Sequence, residues 1–102
     1  MKYTKITILF YFILFKNNLF QEVILTNLDK YSKVFIKTFS INKLKLKKLK
    51  YMSISGWDSV GHMTLVGAIE DIFKITMDMD DIIDLDSFEK GKKILKKYKI
   101  TI

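Results

Sequence analysis

The chain has no cysteine, no proline and no arginine, and a single histidine and a single tryptophan. Without cysteine there is no disulfide, no thiolate metal site and no cysteine nucleophile. One histidine excludes a multi-histidine metal site. The absence of proline, with only four glycines, suits helices joined by short connections. Long apolar runs are also missing. The longest, residues 6–15 (ITILFYFILF), has ten residues, against the roughly 20 a membrane crossing needs.

What is present is a chain of 102 residues, one small domain, whose apolar fraction of 49% is enough for a core. The net charge of +7 conceals a segregation. Residues 1–50 hold 11 lysines against Glu22 and Asp29, and residues 90–102 add six more lysines. Residues 51–89 hold nine acids against Lys74 alone. That middle block repels phosphate backbones and attracts basic protein surfaces.

The chain divides into an apolar N-terminal extension, residues 1–23, and a domain over 24–102. The extension, with Lys2 and Lys5 ahead of its apolar run, matches the start of a secretory signal, but no small-residue cleavage site follows. It reads as an appendage, either packed on the core or added by a start site placed upstream. From residue 24 a helical rhythm appears: Ile24, Leu28, Tyr31, Val34, Phe35, Thr38 and Phe39 share one stripe. Residues 40–56 (SINKLKLKKLKYMSISG) keep no helical phase and read as a long loop whose leucines dip toward the core. A second helix is expected from Ser59. At about 100° per residue, His62, Leu65, Val66, Ile69, Ile72 and Phe73 fall on a core side. Val60, Met63, Thr64, Gly67, Glu70 and Asp71 fall on a water side. Residues 78–86 (DMDDIIDLD) allow one short turn around 81–85, with Ile82 and Leu85 inward. Ser87 caps a last helix over 88–98, striped by Phe88, Gly91, Ile94, Leu95 and Tyr98. The expected fold is all-α: three main helices plus one short helix, with the long loop between the first two.

Asp58-Ser59-Val60 at the mouth of the second helix, the surrounding WDSVGHMTLVGAIEDIF, and DDIIDLDSF after it together resemble the acyl carrier proteins, over about residues 24–100. The resemblance implies that Ser59 accepts a 4′-phosphopantetheine group from coenzyme A. It implies that Asp58 helps a phosphopantetheinyl transferase recognise the site, near that enzyme's metal. Val60, Met63, Gly67, Glu70 and Asp71 would then form a docking face for that transferase, a loading ligase and downstream acyl-using enzymes. The implied chain is a monomeric, cytoplasmic, non-catalytic carrier in fatty-acid-type or specialised biosynthesis, with no nucleic-acid partner and no metal of its own. Three features depart from the family: the basic flanks, valine in place of leucine after the serine, and the apolar run at the N-terminus.

Other readings of the same residues are plainer. Ser59 and Asp58 both suit a helix cap, worth about 1 kcal/mol. His62, one turn from Ser59, suggests a base, but no acid is placed to orient it and no oxyanion site accompanies it. It reads as a packed, hydrogen-bonded histidine, and Trp57 as a loop anchor over the core. The acids at 78–86 lack the glycine and terminal glutamate of a calcium loop and read as a solvated face. The alternative function is a basic helical module that uses lysines 43–50 and 90–99 on an anionic membrane surface or nucleic acid. Apart from that module, membrane contact is expected only through residues 1–23.

Overall fold

The computed structural model describes residues 26–102. The readings made for residues 1–23, and for Ile24, lie outside the described residues. Thr26 begins the described chain as a helix cap. Its hydroxyl accepts from the Asp29 N–H at 3.1 Å, and the Asp29 carboxylate accepts from the Thr26 N–H at 3.2 Å. This reciprocal capping box starts helix α1 (Asn27–Phe39). The helix buries Tyr31, Val34 and Phe35, as its stripe predicts. Leu28, expected on that stripe, is instead exposed. Ser40 closes α1 in the left-handed region, φ 52°.

Residues 43–48 are not loop. They form a 3-10 helix (Lys43–Lys48), capped by the Asn42 side chain, which accepts from the Leu44 N–H at 3.0 Å. A 3-10 helix repeats every three residues, so Leu46 and Leu49 stack on one side and both are buried. Leu44 points away and is 90% exposed, against the expectation that all three leucines turn inward. The chain then pairs briefly with the segment before the last helix. Tyr51 N–H donates to Asp86 O at 2.8 Å and Phe88 N–H to Leu49 O at 3.0 Å.

Helix α2 (Ser59–Phe73) contributes Leu65, Val66 and Ile69 to the core. Ile72, expected on the core side, is exposed at the edge of a groove between α1 and α2, while the adjacent Phe73 packs on the core. A short α3 (Met79–Asp84) follows, then α4 (Phe88–Lys96), capped by the Ser87 hydroxyl accepting from Lys90 N–H at 3.0 Å. Helix α4 ends two residues earlier than its periodicity suggests. Among the described residues there is no strand, and no helix is long and apolar enough to cross a membrane. The result is a small all-α bundle. Its interior is led by Trp57, Tyr31, Phe35, Leu65, Ile69, Leu85 and Leu95.

One acid of the 78–86 run is not solvated. Asp81 is buried, and its carboxylate accepts from the Tyr98 hydroxyl at 2.6 Å and the Lys97 ammonium at 3.0 Å. The Tyr98 oxygen in turn accepts from Asp78 N–H at 2.8 Å. Those bonds, Tyr98's first and Lys97's second, hold the Asp81 carboxyl below the usual carboxylate range. Burial, and then Asp81, pushes the Tyr98 phenol up, and the bond to Asp81 raises Lys97. Folded Asp81 is therefore a stronger acid than unfolded Asp81. Its contribution is present above about pH 4 and is lost as pH falls through the lowered value. Tyr98 and Lys97 act at the other end. Their contributions are full below about pH 10 and are lost as pH rises through the raised values. Asp81→Asn should cost about 1–2 kcal/mol near neutral pH and flatten the loss of stability below about pH 4. Urea unfolding of both proteins near neutrality and at about pH 3 measures this. An equal acid-induced loss in the two would show that Asp81 does not set it.

Candidate functional site

The second helix begins with a division of labour between two adjacent residues. Asp58 is extended, and its carboxylate accepts from the Gly61 N–H at 2.8 Å, so Asp58 is the N-cap. Its own carbonyl accepts the first helical bond, from His62 N–H at 2.8 Å. Ser59 is thereby relieved of capping. It is the first residue of α2, exposed, and among the described residues its hydroxyl is engaged by no hydrogen bond. The N–H groups of Ser59 and Val60 precede any helical partner, and the helix end carries a partial positive charge.

Gly61 lets the preceding loop lie directly on this first turn. A Cβ at Gly61 would stand 1.9 Å from the Gly56 carbonyl oxygen. Below it, the Trp57 indole N–H donates to His62 Nδ1 at 3.0 Å, and His62 Nε2 lies 2.7 Å from Ile82 O. Indole can only donate and a carbonyl can only accept, so the ring is held as the neutral tautomer with its proton on Nε2. His62 is thus the packed, hydrogen-bonded residue its phase suggests, and Trp57, fully buried, is an anchor. The imidazole also ties the first turn of α2 to α3.

Between those two helices, beside Ser59, is a cleft of about 340 Å³. Leu85, Ile82 and His62 form its floor. Met63 on one side and Met79 and Ile83 on the other form its rim, exposed by 55%, 69% and 69%. Tyr51 and Asp86 also line it. The lining is mostly apolar, so the cleft suits alkyl or amide chain more than a charged group.

The chain matches no family model, no curated protein and no solved structure among those compared.

The expected docking residues all lie on α2 but differ in exposure and in what they touch. Val60, 75% exposed, and Met63 stand with Ser59. Gly67 is half-buried, with open space where a Cβ would be. Glu70 does not face water freely. It is half-buried, and its carboxylate accepts from Met77 N–H at 2.8 Å, holding the α2–α3 connection. Asp71 lines a separate groove with Val34, Lys37 and Ile72, between α1 and α2. Conversely, Met79, Ile83 and Tyr51 border the Ser59 cleft although helical phase did not single them out. The only hint in the sequence was two exposed-length apolar residues, Met79 and Ile83, among the acids of a short turn.

Proposed function

We propose that this chain is a carrier protein modified at Ser59 by 4′-phosphopantetheine. The observation that carries the reading is the exposed Ser59 hydroxyl at the start of α2, without a hydrogen bond among the described residues, next to an aspartate that takes over the capping. In the modification, the Ser59 oxygen bonds to the phosphate of coenzyme A that bears the pantetheine. The bond from that phosphorus to the nucleotide portion breaks, and the serine proton is lost to a base of the transferase. Such an arm supplies a terminal thiol that holds acyl or aminoacyl groups as thioesters.

The chain's own residues serve position and access. Asp58 fixes the backbone of the first turn, and with it the place from which the Ser59 side chain leaves the helix. The free N–H groups of that turn suit the phosphodiester oxygens. The apolar cleft between α2 and α3 offers a place for the arm or its cargo, and Val60 and Met63 offer apolar contact to a transferase or loading enzyme. The exposed acids Asp78, Asp80, Asp84 and Asp86 lie on or beside the cleft's far wall. They favour partners with a basic rim, acting mainly on encounter rate and partner choice.

Intact-mass spectrometry after incubation with coenzyme A and a broad-specificity transferase tests this. The parent should gain the mass of one phosphopantetheine, and Ser59→Ala should gain nothing. No gain in the parent, or a gain that survives Ser59→Ala, overturns the reading.

A further inference from the structure

The lysines around the 3-10 helix play no part in the Ser59 site. Three elements bring them together around adjoining grooves: Lys33 from α1, Lys43 and Lys47 from the 3-10 helix, and Lys92 from α4. Lys45 and Lys48 are exposed on the same 3-10 helix. Two acids also line those grooves, and one of them offsets Lys92, so the uncompensated charge comes from the 3-10 helix and Lys33. Asp29 is held in the Thr26 capping box, and Glu89 pairs with Lys92 at 3.3 Å. Among these lysines stands Leu44, the most exposed large apolar side chain among the described residues, on a turn fixed by the Asn42 cap.

We propose that this surface docks the chain on an anionic lipid surface, with Leu44 entering the interface between headgroups and acyl chains. Charge complementarity calls for an anionic partner, and the side chains choose which kind. Nucleic-acid surfaces favour arginine forks and exposed aromatic platforms. This chain has no arginine. The one aromatic lining these grooves, Phe88, is buried with the Lys92 ammonium 4.9 Å from its ring centroid. Lysines surrounding a protruding leucine match instead a lipid interface, where headgroup charge attracts ammonium groups and the leucine leaves water. No residue lining the two basic grooves lines the cleft beside Ser59. A docked chain therefore presents a different face to soluble enzymes. The proposal stands apart from the carrier reading, and Ser59→Ala should bind lipid as the parent does.

The test is co-sedimentation of the full chain with vesicles of phosphatidylcholine alone and of phosphatidylcholine mixed with phosphatidylserine. Binding is expected only to the mixed vesicles and should weaken steeply with salt. Each lysine near such a surface accounts for about fivefold, so the triple variant K43Q/K47Q/K48Q should bind roughly 100-fold more weakly. Leu44→Asn should weaken binding by about tenfold. The triple variant K74Q/K90Q/K99Q removes the same charge elsewhere and should change binding by less than about threefold. Equal losses in the two triples would mean that net charge alone is read, and would overturn the proposal. So would binding that persists in both triples, which would assign it to residues 6–15 or another surface. Absence of vesicle binding, or salt-sensitive binding to DNA or RNA in its place, also overturns it. All substituted side chains are exposed, and far-UV circular dichroism checks that the helices are retained.

Discussion

Replacing Gly91 by alanine is expected to destabilise this protein by about 2–4 kcal/mol, a large part of the roughly 5–15 kcal/mol that holds such a domain folded. Helix propensity alone predicts the opposite, because alanine is favoured over glycine in a helix interior by about 1 kcal/mol. Packing overrides it. A Cβ at Gly91 would lie 1.9 Å from the Tyr31 hydroxyl oxygen and 2.7 Å from a Leu85 methyl. Both neighbours are side-chain ends, but neither is free to move. Tyr31 is fully buried between Phe35 and Phe88, with ring centroids 4.8 and 4.9 Å away, and its hydroxyl donates to Phe88 O at 2.8 Å. Burial, with a smaller push from Glu89, keeps that phenol protonated far above its usual range, so the bond persists across ordinary pH. Moving Tyr31 aside strands a buried hydroxyl and a carbonyl together. Tyr31→Phe removes the colliding oxygen, at a cost of about 1 kcal/mol for the lost bond. In the double variant the two costs should therefore sum to less than the separate losses, by about 1 kcal/mol or more. Chemical denaturation of the four proteins measures the cycle. A Gly91→Ala variant within about 0.5 kcal/mol of the parent would refute the close approach of α1 and α4.

The parts of this fold that the sequence makes legible are those specified locally. Thr26, Asp58 and Ser87 each cap a helix through a residue three positions on, and the stripes of α1, α2 and α4 follow from a period close to four. The Ser59 position was legible for the same reason, since cap and hydroxyl are neighbours. What stayed hidden depends on distant partners or on a different period. Leu44, Leu46 and Leu49 together keep no α-helical phase, and the three-residue step from Leu46 to Leu49 alone does not tell a 3-10 helix from an α-helix. Asp81 looks like one acid among several until Lys97 and Tyr98, 16 and 17 residues further on, turn toward it. Glu70 reads as a water-facing acid because its partner is a backbone N–H beyond the end of its own helix. The far wall of the Ser59 cleft depends on where α3 sits. His62 contributes to that placement through a carbonyl 20 residues away, and no local pattern reports such a bond.

The His62 contact carries the second large prediction. Trp57→Ala should cost about 3–5 kcal/mol, because it empties the space the indole fills against Phe35 and Phe39. That value alone cannot separate packing from the indole–imidazole bond. Trp57→Phe keeps most of the apolar contact and removes the N–H, leaving His62 Nδ1 without its donor, so about 1–2 kcal/mol is expected. His62→Ala strands the buried indole N–H and frees Ile82 O, at a similar or larger cost. If the bond is what couples them, the Trp57→Phe and His62→Ala penalties should overlap in the double variant by about 1 kcal/mol. Unfolding followed by far-UV circular dichroism serves here, because the chain's only tryptophan is the residue being changed. Strictly additive penalties would mean the two rings merely pack. Neither substitution touches the Asp58 cap, so Ser59 should remain available for modification in His62→Ala under conditions where that variant stays folded. What His62→Ala removes is the tie between α2 and α3. An unchanged cleft, with Ile82 and Ile83 still opposite Met63 in a structure of that variant, would show that the tie does not position the wall beside Ser59.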